Sequence, residues 1–152
     1  VTAPLTITIA DPRHGAALGL LQASHAHLAS RYPPEAIFAL DPDELASPHI
    51  RFLLAQSDGA ALGCAALAHM GDYAEIKSMF VTPAARGTGT GAALMHRLED
   101  EARAQNLRCL RLETGDDLYA AHRLYARHGF VVCGPFGSYV AGPHSVFMQK
   151  CL

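Results

Sequence analysis

The chain has 152 residues, half of them apolar, and 12 Lys plus Arg against 14 Asp plus Glu give it a formal charge of -2. That length and apolar share suffice for one core without disulfide or metal staples, so a single domain over residues 1–152 is expected. A near-neutral balance with no basic run and no aromatic-basic interleaving excludes an evident nucleic-acid partner. Cys64, Cys109, Cys133 and Cys151 lie far apart with no C-x-x-C pair, which fits thiols of a reducing compartment better than a disulfide or zinc framework. Nine histidines contain one close pair, His25 and His27, and no H-E-x-x-H, so no metal site is expected. Neither a signal-peptide pattern nor an apolar run of about 20 residues is present. The expectation is a soluble, cytoplasmic protein without membrane contact.

Leu5, Ile7 and Ile9 alternate with Thr6 and Thr8, the period of a half-buried strand. Asp11-Pro12 supplies a cap and a first-turn proline for a helix carrying Leu18, Leu21, His25 and Leu28 on one face and ending near residues 31–34. His25 is then either a packed or capping histidine or, with Tyr32 and the rigid Pro33-Pro34 turn, one wall of a substrate pocket. Asp41-Pro42 starts a second, short helix that Pro48 closes. Residues 50–56 and 61–69 are apolar runs around the turn signal Ser57-Asp58-Gly59-Ala60, which makes them an antiparallel hairpin. Residues 75–81 add a third strand to this meander.

That strand leads into Arg86-Gly87-Thr88-Gly89-Thr90-Gly91 and then a helix over residues 90–105, with Leu94, Met95, Leu98 and Ala102 on its apolar stripe. Strand, glycine loop and helix in that order bind anions: glycines let backbone amides approach phosphate oxygens, and the helix start adds free N–H groups and a positive dipole end. A phosphate-bearing cofactor at residues 86–91 is the first functional expectation. Residues 107–114 form a strand, so strand, helix and strand make a right-handed crossover that sets Ile76 and Leu110 on parallel neighbours. Asp116 or Asp117 caps a further helix, residues 118–127, which Gly129 ends. Residues 130–133 and 146–150 are closing strands around an irregular, glycine- and proline-rich loop.

Gly87, Gly89 and Ala92 also satisfy the dinucleotide pattern G-x-G-x-x-A, with Glu113 at the end of the next strand. Three features weigh against it. Residues 82–86 separate strand from glycine, about four elements precede the motif, and the remaining chain is too short for a dinucleotide fold with a substrate domain. No Gly-Lys-Ser or Gly-Lys-Thr of a P-loop occurs.

Val81-Thr82-Pro83 followed by Arg86-x-x-Gly89-x-Gly91 resembles the acetyl-coenzyme A signature of the GNAT superfamily of N-acetyltransferases, and Leu124-Tyr125-x-x-x-Gly129-Phe130 resembles its second landmark. The resemblance extends over essentially the whole chain. Residues 75–79, 112–115, 133–136 and 145–148 are similar to a bacterial branch of small GNAT proteins, some of which carry the label indole-acetate acetyltransferase. The resemblance implies an α/β fold: a mixed, mostly antiparallel sheet of about six to seven strands, flanked by about four helices and splayed at two parallel central strands. It implies acetyl-coenzyme A as cosubstrate, its diphosphate on the amides of Arg86, Gly87, Thr88, Gly89, Thr90 and Gly91. The pantetheine arm would pair with the backbone of Met79, Phe80 and Val81.

The implied reaction is direct acetyl transfer, in a ternary complex, to a primary amine of a small molecule or peptide. Tyr125 is then the acid that protonates the departing thiolate and a contact to the coenzyme. Glu75, slightly preferred, or Glu113 is the base. Where the superfamily often has Asn seven residues before this tyrosine, Leu118 stands here. His25, Tyr32, Lys77 and Tyr139, with Glu113, could surround the acceptor, and Lys77 or Arg31 could hold a carboxylate. A homodimer is compatible with the sequence, which does not set the oligomeric state. The competing class is a non-catalytic acyl-coenzyme A binding or sensing module.

Overall fold

A computed structural model of the protein describes residues 3–152. Within them lies one mixed sheet of seven strands: β1 (Thr6–Ile9), β2 (Ile50–Ser57), β3 (Ala60–His69), β4 (Ala74–Val81), β5 (Cys109–Gly115), β6 (Val131–Cys133) and β7 (Ser145–Cys151). Their order is β1-β2-β3-β4-β5-β7-β6, and only β4 and β5 run parallel. Four helices flank the sheet: α1 (Gly15–Ala29), α2 (Pro42–Leu45), α3 (Thr90–Ala104) and α4 (Tyr119–Arg127). The mixed α/β architecture expected from the sequence is the one observed. Among the described residues, no helix is long and apolar enough to cross a membrane.

β2 and β3 are near-continuous apolar runs because both their faces are covered. Leu53, Ala55, Ala65 and Leu67 pack with Leu94, Met95 and Leu98 of α3 and Tyr125 of α4. The alternate residues Phe52, Leu54, Cys64 and Ala66 pack with Ala17 and Leu20 of α1 and Leu45 of α2. Glu75 and Lys77 pair in register with Ala68 and Ala66, so they lie on the α1 face. Glu75 pairs in turn with Arg111, which brings Arg111 and Glu113 of β5 to that face as well. A third cluster, Tyr73, Phe136 and Phe147 with Tyr139 packed against it, continues that face beyond β5.

Two expected helix caps are used otherwise. Asp11 does not cap α1; its carboxylate accepts the Arg13 backbone N–H at 2.9 Å and the Arg13 guanidinium at 3.0 and 2.9 Å. That closed turn delays the helix until Gly15, behind His14, which gives no side-chain cap. Asp116 and Asp117 do not cap α4 either. Leu118 stands at its N-cap without a side-chain bond, Asp117 is taken by Arg31 and Tyr32, and Asp116 lies 3.7 Å from His144 Nδ1. Competing long-range partners for a carboxylate are invisible to local pattern. By contrast, Asp41 does cap α2, in a reciprocal box with Glu44.

What positions the site is the way β4 leaves the sheet. The β3–β4 register shifts between Cys64 and Ala66, Ser78 takes a left-handed φ of 55°, and the Cys64 thiol donates to the Ser78 carbonyl at 3.3 Å. This bulge adds one residue to β4 and bends it. β4 and β5 are in register only at Ala74 with Leu110 and Glu75 with Arg111; beyond that point they diverge. Residues 77–81 of β4 accordingly change from buried to half-buried.

Gly63 of β3 is fixed by this arrangement, since a Cβ there would stand 2.8 Å from the Phe80 carbonyl oxygen. Gly63→Ala is expected to cost about 1–3 kcal/mol of stability, because backbone must shift to relieve the overlap. Urea denaturation reads that cost. An unchanged midpoint would mean that β3 and β4 are not held this closely.

Candidate active site

The divergence of β4 and β5 opens a cleft of about 1110 Å³. β4 from Ile76 to Val81 and the end of β5, Glu113 to Gly115, form its base. One wall comes from α1 and residues 36–42, the other from Arg86, Gly87, Gly89, Gly91 and the inner face of α4. Facing backbone groups of the parted strands have no ladder partner in each other, and buried peptide groups demand one. An extended amide-containing chain laid along β4 would supply it.

The three loop glycines have different reasons to be glycine. Gly87 and Gly89 take φ of 76° and 89°, a region that side chains disfavour, whereas Gly91 is helical and lies against α4, where a Cβ would come 3.1 Å from Leu124. The Thr88 hydroxyl donates to the Ala85 carbonyl and lies 3.0 Å from the Thr90 hydroxyl, so both threonines brace the loop from behind. The Arg86 and Thr88 N–H groups are bonded within the turn, to Pro83 and Ala85 carbonyls at 3.4 and 3.3 Å. Ala93 N–H to the Gly89 carbonyl, 3.0 Å, is the first bond of α3. The amides of the helix start ahead of it therefore have no intrahelical partner, and the dipole there favours an anion.

Tyr125 and Glu113 both line the cleft. Tyr125 is 5% exposed, held by the Phe130 ring, and burial followed by the Glu113 charge raises its pKa, keeping the phenol protonated. Glu113 accepts a bond from the Ser145 hydroxyl at 2.8 Å. Its pKa is also raised, because burial outweighs that bond and the attraction of Lys77. A phenol that keeps its proton and a carboxyl poised above its ordinary range, facing one cavity, have the character of an acid and a base.

Glu75 is placed differently. It is 5% exposed and lies outside the lining of the large cleft. The Tyr139 hydroxyl donates to it at 2.6 Å and the Lys77 ammonium stands 3.3 Å away. Lys77 also donates to the Tyr139 hydroxyl at 2.8 Å and to the Phe38 carbonyl at 3.1 Å, which ties residue 38 down onto β4. Burial and the adjoining Glu75 raise the Tyr139 pKa.

Of the acceptor candidates, His25, Tyr32 and Lys77 line the cleft with Glu113, while Tyr139 stands behind Lys77 and neither Pro33 nor Pro34 reaches the lining. Tyr32 gives its hydroxyl to Asp117, and burial and that carboxylate push its pKa up to about 12. Its ring covers Gly115, where a Cβ would overlap it. Arg31 Nη2 reaches Asp117 at 2.7 Å. Asp117 is thus a residue of the site that sequence reasoning missed, hidden by its resemblance to a cap. Ser145 and the bulge residue Ser78 were missed too, and a lone serine in a strand gives no signal for either role. Among the described residues, no group of three or more His, Cys, Asp or Glu is placed to hold a metal ion.

This geometry has relatives. The acetyltransferase (GNAT) family matches residues 18–130. An IAA acetyltransferase of Azospirillum brasilense is 45% identical over 97% of this chain and 98% of its own length. Among solved structures, a Klebsiella pneumoniae protein assigned as an acyl-CoA N-acyltransferase superposes with a TM-score of 0.81 at 32% identity, covering 97% of each chain. A GNAT family acetyltransferase from Elizabethkingia anophelis with acetyl-CoA bound shares the fold, with a TM-score of 0.71 at 18% identity over 97% of this chain and 98% of that one. With a family match across most of the chain and a relative this close over nearly its full length, the protein belongs to the acetyltransferase (GNAT) family and is an acyltransferase.

Proposed function

We propose that the chain, acting as a single domain, moves an acetyl group from acetyl-coenzyme A directly to a primary amine of a small molecule or peptide while both are bound. The observation that carries this reading is the convergence of Glu113 and Tyr125 on the cleft between the parted β4 and β5. The residues fit the coenzyme: the amides at Gly87, Gly89 and the start of α3 suit the diphosphate, and the backbone of Met79, Phe80 and Val81 suits the pantetheine arm. Leu118 lines the cleft at the head of α4 and offers the coenzyme apolar contact there.

The coenzyme supplies an activated acyl thioester. Glu113, directly or through water, takes a proton from the acceptor's ammonium, which otherwise costs roughly 4 to 5 kcal/mol to deprotonate at neutral pH for a lysine-like pKa. The amine nitrogen attacks the carbonyl carbon, and a backbone N–H near Phe80 or Val81 receives the developing oxyanion. The new C–N bond forms and the C–S bond breaks; Tyr125 gives its proton to the departing thiolate and regains one from the nitrogen of the new amide, while Glu113 releases its proton to water. Glu75 is assigned a supporting part, holding Lys77 and Tyr139 in place, which reverses the slight preference for Glu75 that the family resemblance implies.

Thiol release with a panel of primary amines tests the reading, against the alternative of a module that only binds acyl-coenzyme A. Amine-dependent thiol release with matching N-acetyl product is expected. Tight acetyl-coenzyme A binding with no acceptor that accelerates thioester loss would leave only the binding module. A second test concerns the loop. Gly89→Val forces a branched side chain onto a φ of 89° beside the amides assigned to the diphosphate. Acetyl-coenzyme A affinity should fall by about 30-fold or more, on the scale of one lost charged hydrogen-bond set, in protein that stays folded at the assay temperature despite about 1–3 kcal/mol of backbone strain. Unchanged affinity in calorimetry would remove the diphosphate from this loop.

A further inference from the structure

We propose that the acceptor is a small primary amine with an apolar body and no carboxylate next to its amino group. This rests on the acetyl-transfer reading above and deepens it. On the α1 side of the cleft, Leu21, Leu28, Ile37, Phe38 and Leu40 line the cavity together with the polar Gln22, Ser24, His25 and His27. Phe38 keeps 40% of its surface exposed there. An apolar side chain laid on Phe38 and its apolar neighbours loses water contact there.

The cations on that side are already engaged. Two of the three donors of the Lys77 ammonium go to the Phe38 carbonyl at 3.1 Å and the Tyr139 hydroxyl at 2.8 Å, and its charge is paired with Glu75 at 3.3 Å. Arg31 is held by Asp117 at 2.7 Å. Arg86 and Arg127 also line the cleft, but from the glycine loop and α4, on the opposite wall. An acceptor whose amine meets Glu113 while carrying a neighbouring carboxylate would bring that charge close to Glu113 with no free cation beside it. Burying an unpaired charge is costly, and two adjacent carboxylates disfavour each other.

The test uses matched acceptors at about pH 8. 2-Phenylethylamine is paired with phenylalanine, 3-methylbutylamine with leucine, and ethanolamine serves as the polar control. kcat/KM for thiol release should be at least about tenfold higher for each amine than for its amino acid, and ethanolamine should be the poorest amine. Asp117→Asn, which frees Arg31, should shrink the amine-to-amino-acid ratio by about threefold or more; a merely structural loss would lower both members alike. Amino acids that match or exceed their amines, ethanolamine that matches 2-phenylethylamine, or a ratio unmoved by Asp117→Asn would each overturn the proposal while leaving acetyl transfer intact. No thioester loss with any of the five, in protein that releases thiol with another amine of the panel, would overturn this proposal alone; no release with any acceptor, in protein that binds acetyl-coenzyme A, would overturn both.

Discussion

Tyr125→Phe should lower kcat by about 100-fold or more while acetyl-coenzyme A affinity changes by less than about threefold. The ring is part of the core, packed on Phe130 and among Leu94, Leu98 and Met148. Phenylalanine keeps that packing, so the variant should fold normally. What it removes is the hydroxyl, whose proton is retained at any working pH because burial and the Glu113 charge raise its pKa. Transfer of that proton to a thiolate, the weaker base, is completed because the protonated nitrogen of the new amide restores the phenol. Steady-state rates with a saturating amine, alongside calorimetric binding of acetyl-coenzyme A, separate the two effects. Unchanged turnover would take Tyr125 out of the acid role and leave it a core aromatic.

The second large effect distinguishes the two glutamates. Glu113→Gln should lower kcat/KM by about 100-fold or more, since the amide keeps the shape and cannot take a proton. In the unmodified protein the same group should set the acidic limb of the rate profile. Activity needs the ionised carboxyl, and the pKa of Glu113 is raised, chiefly by burial. Activity should therefore be present at neutral pH and be lost as pH falls through a midpoint above the ordinary glutamate range, and the Gln variant should lack that limb. Glu75→Gln should behave otherwise. It breaks a pair with Lys77 in which the two side chains are only 7% and 12% exposed, so a stability loss on the order of 3 kcal/mol is expected. The surviving activity should fall by less than about tenfold with its acidic limb kept. The reverse pattern, a lost limb in Glu75→Gln and a retained one in Glu113→Gln, would return the base to Glu75.

Much of the frame is legible in local pattern because each element carries its own periodicity. The hairpin of β2 and β3 turns through Asp58 and Gly59, both at positive φ, and Ser57-Asp58-Gly59-Ala60 announces it. The parallel placing of Ile76 and Leu110 follows from a handed crossover and agrees with the register of Ala74 with Leu110. The site is less legible because its decisive contacts join residues far apart in the chain. Asp117 is spaced like a helix cap and is used 85 positions away by Tyr32. Lys77 has the alternation of an outward strand residue, yet it is held by Glu75 on its own strand and by Phe38 and Tyr139 from distant loops. Glu75 and Glu113 share one face of the sheet, and no spacing rule tells which of them looks into a cleft. That depends on where β4 and β5 part, which is set by a bulge at Ser78. Serine has no marked preference for a left-handed backbone, so the sequence carries no warning of the bend.

A crystal structure with coenzyme A bound tests the placement of the chemistry most directly. The expected result has the pantetheine along Met79 to Val81, the diphosphate on the amides of Gly87, Gly89 and the start of α3, and the sulfur within hydrogen-bond distance of the Tyr125 hydroxyl. Glu113 should face the same sulfur across the space left for an acceptor. Coenzyme A bound outside the gap between β4 and β5, or with its sulfur remote from both Tyr125 and Glu113, would contradict the proposed site.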